Sequence, residues 1–212
     1  MLQIFDSIFD QFLSYKQIDF YLEIIAVVFG LLSVWFAKKN HIAVYPLGII
    51  STLIFVYLLY KFHLIGDMMI NAYYFLMSIY GWYIWTKKKD GIVVCKITYM
   101  NAHEKRAAII LFISSLFFVS LIYYAIDTGL SLIPLIDILT TAVFFVGMWL
   151  MANKKIENWI LWIIADLISI PLYFYKEMVF TSIQYLIFTI IAVFGFLSWK
   201  KLYKSRVLTP QS

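Results

Sequence analysis

The chain has 212 residues and a mass of 25.0 kDa, with 64% of its residues in the apolar set AVILMFWYC, 14% charged, and a mean hydropathy of +0.88. A soluble domain carries about 45–50% apolar and about 25% charged residues, so a water-soluble fold is excluded, as are disordered, coiled-coil and collagen-like chains. The net charge is +5, but the basic residues lie between apolar runs and form no stripe for nucleic acid, and the single Cys95 supports neither a disulfide framework nor a zinc cluster.

The first 18 residues predict an amphipathic interfacial helix. Leu2, Phe5, Ile8, Phe9, Phe12 and Leu13 recur at helical spacing, with Asp6 and Asp10 on the other side. The stretch lacks the basic start and small-residue cleavage site of a signal peptide. Seven apolar runs follow, near 19–37, 42–60, 66–86, 107–126, 131–152, 157–175 and 179–199. Each has about the 20 residues that a membrane-spanning helix needs. The expected fold is therefore an all-α integral membrane protein. Its expected segments are an interfacial stretch (1–18), a first three-helix repeat (19–86), a basic connection with a linker helix (87–126), a second three-helix repeat (127–203) and a tail (204–212).

The connections carry the orientation. Of the 17 basic residues, only Lys16, Lys61 and Lys176 fall on one side; the other 14 fall on the opposite side. The positive-inside rule then puts the N-terminus outside and the C-terminus in the cytoplasm.

The outer triplets of spans resemble one another at an offset of about 114. Glu23 matches Asp137, Trp35 matches Trp149, Ile42 matches Ile156 and Tyr45 matches Trp159; Gly81 matches Gly195 and Trp85 matches Trp199. Three is odd, so the linker helix restores the direction of the second triplet. The repeats are parallel, about an axis along the membrane normal, with the expected substrate site between them near the midplane.

Polar side chains at membrane depth are costly and tend to mark function. In the sixth span Asn158, Trp162, Asp166 and Ser169 fall within about 80° of one another on a helix. The third span offers Asp67, Asn71, Tyr74, Ser78 and Trp82. The seventh offers Thr181, Gln184 and Phe188, the fifth Asp137, Thr140, Thr141 and Phe144, and the second Tyr45, Gly48 and Thr52 beside Pro46. Such faces suit a small, flat, polar ligand: aromatic rings stack on it and attract a cation, and amides hydrogen-bond in fixed geometry. The expected site comprises Asn158, Trp162, Asn71 and Gln184, supported by Tyr45, Tyr74 and Asp166. The competing role for amides and hydroxyls is to join helices. Trp85, Trp199 and Tyr203, near span ends, read as interface anchors. Pro46 and Pro171 read as kinks in equivalent spans. His41, His63 and His103 lie in connections, and no phosphate-binding glycine loop or HExxH motif is present.

The run Tyr45-Pro46-Leu47-Gly48-Ile49-Ile50, then Gly66-Asp67 and Tyr80-Gly81-Trp82-Tyr83-Ile84-Trp85, resembles the first half of PnuC-type vitamin transporters. Glu157-Asn158-Trp159, Trp162, Asp166 and Ser182-Ile183-Gln184-Tyr185 resemble the second half. The resemblance covers residues 20 to 203. It implies a 3+1+3 helix arrangement, akin to SWEET sugar transporters. It also implies facilitated diffusion of an unphosphorylated vitamin precursor, most often nicotinamide riboside, which a cytosolic kinase then traps without a stable complex. Related members carry thiamine, riboflavin or deoxynucleosides. The family's substrate-lining Asn and Trp map to Asn158 and Trp162. A span-three position often held by Gln is Asn71 here, one methylene shorter.

The expectation is thus a bacterial inner-membrane carrier with no cofactor, metal or nucleic acid; its partners are the vitamin and the bilayer, and a homo-oligomer is compatible with the composition. Thiamine as cargo, or proton coupling through Glu23, Asp137 or Asp166, stands as the alternative. A membrane-embedded enzyme would need a clustered acid–base or metal set, and no histidine accompanies those carboxylates.

Overall fold

The computed structural model describes residues 17–61, 65–89, 91–125, 132–175 and 179–208. The expected amphipathic segment lies outside the described residues. Seven helices occupy the seven apolar runs: α1 (Gln17–Lys38), α2 (Val44–Lys61), α3 (Ile65–Thr86), α4 (Ala102–Ala125), α5 (Leu132–Ala152), α6 (Glu157–Tyr175) and α7 (Val179–Leu208). Six of the seven are long and apolar enough to cross a bilayer. Between α3 and α4, β1 (Lys88–Lys89) and β2 (Ile92–Val93) form a short antiparallel hairpin, in which Gly91 takes a positive φ of 78°.

The helices form a ring. α1 packs on α2 and α2 on α3; α5 packs on α6 and α6 on α7. The halves join twice, α3 against α5 and α7 against α1, so the third helix of each triplet meets the first helix of the other. The linker α4 packs outside the ring, mainly on α5.

The repeat holds in the backbone. After α1, His41 N–H donates to the Phe36 carbonyl and Asn40 N–H to Ala37, with Asn40 at φ 53°. After α5, Lys155 N–H donates to Leu150 and Lys154 N–H to Met151, with Lys154 at φ 52°. Both are Schellman caps, in which a left-handed residue satisfies the last carbonyls of a helix. The following helices start alike: Val44 and Tyr45 N–H donate to His41 and Ile42, and Asn158 and Trp159 N–H donate to Lys155 and Ile156. Every partner in one half is matched in the other at an offset of 114.

The basic connection is fixed to this turn. Thr98 N–H donates to Lys154 and accepts at its carbonyl from Ile156 N–H. Glu157 accepts from Met100 N–H, and Lys155 pairs with Glu104 at 2.7 Å. Asn101 and Glu104 form a reciprocal capping box that starts α4, each side chain accepting from the other's backbone N–H at 2.9 Å.

Two sequence expectations change. Pro46 lies in the first turn of α2, where a helix has no use for the missing N–H, so it kinks nothing. Trp85 and Trp199 are not interface anchors: they are 5% and 0% exposed, and each indole N–H donates to a backbone carbonyl of the opposite half.

Candidate functional site

At the end of the bundle that carries the two Schellman turns, aromatic rings fill the ring of helices. Tyr45 of α2 rests on Gly81 of α3 and meets Trp85 edge-on, with centroids 5.0 Å apart at 88°. Trp159 of α6 rests on Gly195 of α7 and meets Trp199 edge-on, at 5.4 Å and 88°. Both glycines are required by close approach, because a Cβ at either would overlap the ring seated there. The edge-to-face geometry sets a positive ring edge on a negative face. Tyr45 Oη adds a weak contact with Met151 Sδ at 3.7 Å. Of the expected pocket residues, Tyr45 therefore lies in this aromatic layer, fully buried.

Along the polar face of α6, from Asn158 onward, the repeats diverge. At the offset of 114, Asn158 faces Val44 in the alignment of the halves, Trp162 faces Gly48, Asp166 faces Thr52 and Ser169 faces Phe55. The halves agree where they pack and differ along the polar stripe of α6.

That stripe is held tightly. Asn158 is fully buried; its Nδ2 donates to the Lys155 carbonyl and its Oδ1 has no partner among the described residues. The amide is thus anchored by its donor side, with its acceptor turned to the interior. The Trp162 ring lies on Gly147 of α5 and meets Trp159 edge-on at 5.4 Å and 87°. Ser33 holds the position equivalent to Gly147 and donates instead to the Val44 carbonyl at 2.7 Å. Asp166 and Ser169, 3% and 1% exposed, continue the stripe.

Aromatic walls surround it. Tyr73 of α3 stacks on Phe145 of α5 at 4.0 Å and 19°, and its hydroxyl donates to the Phe145 carbonyl at 3.0 Å. Tyr74 meets Phe145 at 6.3 Å and lies within electrostatic reach of Tyr185 and Asp166, so inner faces of α3, α6 and α7 converge. Tyr185 of α7 contacts Phe144, Tyr173 and Phe188. Asn71 and Gln184 are half-buried on α3 and α7. The sequence reading missed Tyr73, Phe145 and Gly147 as wall residues, because each is defined by a contact between distant helices.

Other polar residues serve the scaffold. Asp137 accepts from Tyr123 of α4, away from the stripe. Thr52 and Thr140 donate to carbonyls of their own helices. Trp82 is exposed, and the side chains of Asp67 and Thr181 lie outside those described. A cleft of about 510 Å³ between α4, α5 and α6 is walled mainly by apolar residues, among them Ala108, Phe112, Val143, Val146 and Leu161, with Lys105 as its one charged lining residue.

Comparison with known proteins gives a consistent result. A model of the family described as nicotinamide mononucleotide transporter matches residues 20–201. The nicotinamide riboside transporter PnuC of Escherichia coli is 25% identical over 202 residues, covering 84% of each chain. That of Neisseria mucosa is 27% identical over 195 residues, covering 88% of this chain and 74% of the relative. The riboflavin/roseoflavin transporter RibM of Streptomyces davaonensis is 24% identical over 192 residues, covering 90% and 89%. The crystal structure of the vitamin B3 transporter PnuC aligns with a TM-score of 0.66 at 25% identity, covering 89% of this chain and 84% of that one.

Proposed function

The chain belongs to the nicotinamide mononucleotide transporter family, and on that premise we propose that it carries a vitamin precursor, nicotinamide riboside first, across a bacterial inner membrane by facilitated diffusion. It is a carrier rather than an enzyme. The observation that most supports this reading is the α6 stripe: a buried amide with a free acceptor, an indole face and a carboxylate, in the half of the repeat where its counterpart has Val44, Gly48 and Thr52.

In this reading Trp162 stacks on the flat cationic ring of the ligand, and Asp166 offsets its positive charge. Asn158 accepts from a ligand N–H, and Asn71 and Gln184 hydrogen-bond from the facing helices. Tyr74 closes the wall, and Tyr45 supports the site from the aromatic layer. The N-terminus is outside and the C-terminus cytoplasmic, so the aromatic layer shuts the cytoplasmic end. Residues 19–86 and 127–203 rock against each other about that layer, and 87–126 tethers them. A cytosolic kinase phosphorylates the delivered vitamin and keeps the gradient inward, without a lasting complex.

Uptake into proteoliposomes tests the reading. Labelled nicotinamide riboside is expected to equilibrate to equal concentrations inside and out, with no further accumulation under an imposed pH gradient. Accumulation driven by that gradient alone would overturn facilitated diffusion in favour of proton coupling.

A further inference from the structure

Among the described residues, Ser169 Oγ is the one hydroxyl oxygen that is fully shielded from solvent and has no hydrogen-bond partner. It sits one turn beyond Asp166 on the inner face of α6, and the two are 1% and 3% exposed. Burying unpaired polar groups is costly, and folds ordinarily satisfy them. The means of doing so is near at hand. A helical Ser or Thr can donate to the carbonyl four residues back, as Thr52, Thr140 and Thr189 do here at 2.8 to 3.0 Å. Ser33, Ser51 and Ser182 donate across helices to Val44, Ala26 and Ile170. Ser169 takes neither course.

A carboxylate and a hydroxyl three residues apart on a helix hold their Cβ atoms about 5–6 Å apart. A carboxylate accepts only, on two oxygens; a serine hydroxyl both donates and accepts. Together they match two neighbouring ligand hydroxyls, one donating to the carboxylate and the other exchanging a bond with Oγ. Eleven residues separate Ser169 from Asn158, about 16 Å along the helix. Trp162 lies between them, so a ligand stacked on the indole extends its polar substituent toward Asp166 and Ser169.

We propose that Asp166 and Ser169 form a subsite for vicinal hydroxyls, so that the ligands of this chain join a flat ring to a sugar or polyol. This rests on reading the α6 stripe as the ligand site, and it selects within that reading: nicotinamide riboside and riboflavin carry vicinal hydroxyls, whereas thiamine has a single alcohol.

The test is binding to the purified protein, wild type against Ser169→Ala, with nicotinamide riboside, riboflavin and thiamine as probes and thermal unfolding measured without ligand. The alanine variant is expected to unfold at the same or a higher temperature, because it removes an unpaired hydroxyl. It is expected to bind the diol-bearing vitamin about tenfold more weakly, one hydrogen bond's worth, and Asp166→Asn is expected to weaken the same ligand. Unchanged affinity in Ser169→Ala overturns the subsite. So does an unfolding temperature several degrees lower, which would give the hydroxyl a structural role. Wild type that binds riboflavin but not nicotinamide riboside, with the same Ser169 dependence, supports the subsite and overturns the choice of cargo. Binding of thiamine and of neither diol-bearing vitamin overturns both.

Discussion

Trp85 and Trp199 meet across the junction of the two repeats, with ring centroids 6.1 Å apart at 50°. They are equivalent residues, and each reaches past the other into the opposite half: Trp85 Nε1 donates to the Ala152 carbonyl at 3.0 Å, and Trp199 Nε1 to the Ala37 carbonyl at 2.9 Å. The acceptors are ends of α5 and α1, whose last carbonyls lack helical partners. One pair of side chains thus closes both junctions of the ring, and any separation of the repeats at this end must break both bonds.

Removing one latch should cost more than its hydrogen bond. Trp199→Ala empties a fully buried site and is expected to lose about 3–5 kcal/mol, whereas Trp199→Phe loses the N–H bond and is expected to lose about 1–2 kcal/mol. Thermal unfolding in detergent checks the order. A Phe variant as unstable as the Ala variant would show that the bond, not the ring, holds the junction.

The glycine seats make a second prediction. A Cβ on Gly195 would stand 2.6 Å from two Trp159 ring carbons, and one on Gly147 would stand 2.5 Å from Trp162 Nε1. Both alanine variants are expected to be destabilised by about 1–3 kcal/mol through overpacking. They should differ in function: Gly147→Ala tilts the ring assigned to ligand stacking and should weaken vitamin binding, while Gly195→Ala should act on stability alone. Equal effects of both on binding would contradict the separation of layer and site.

Lys154 supplies a pH dependence. Its side chain is buried, its ammonium lies 4.0 Å from the Trp85 centroid, and burial pushes its pKa below the ordinary 10.5, with nearby Cys95 opposing. A lysine with a lowered folded-state pKa penalises the fold while charged. The penalty is full below the folded-state value and fades as the pH rises toward the ordinary one. Lys154→Met is therefore expected to raise the unfolding temperature at pH 7, with a gain that shrinks toward pH 10. A lower unfolding temperature at pH 7 would mean that the cation–ring contact outweighs desolvation.

Much of this architecture is legible in the sequence, for a physical reason. A bilayer makes spans legible by length and apolarity, and the seven expected runs differ from the seven helices by at most two residues at their ends, except that α4 starts five residues earlier and α7 runs nine residues further, into the expected tail. The repeat is legible because Tyr45, Gly81 and Trp85 and their equivalents Trp159, Gly195 and Trp199 are bulky or small residues that close packing demands in both halves. The partners of Trp85 and Trp199 were not legible. A tryptophan near a span end serves an interface or a helix junction equally well, and the carbonyl that decides lies 67 residues away for Trp85 and 162 for Trp199. Tyr73 on Phe145 is hidden in the same way. Ser169 was visible as part of a polar face, but only the hydrogen bonds of its neighbours single it out.

The most direct test of the vitamin site is a binding titration of nicotinamide riboside against the purified protein, read by intrinsic tryptophan fluorescence, with Trp162→Ala beside wild type and the phosphorylated vitamin as control. Saturable quenching in wild type, abolished in a Trp162→Ala protein that unfolds cooperatively and absent with the phosphorylated form, is the predicted result. Equal quenching in wild type and Trp162→Ala would contradict the α6 stripe as the ligand site.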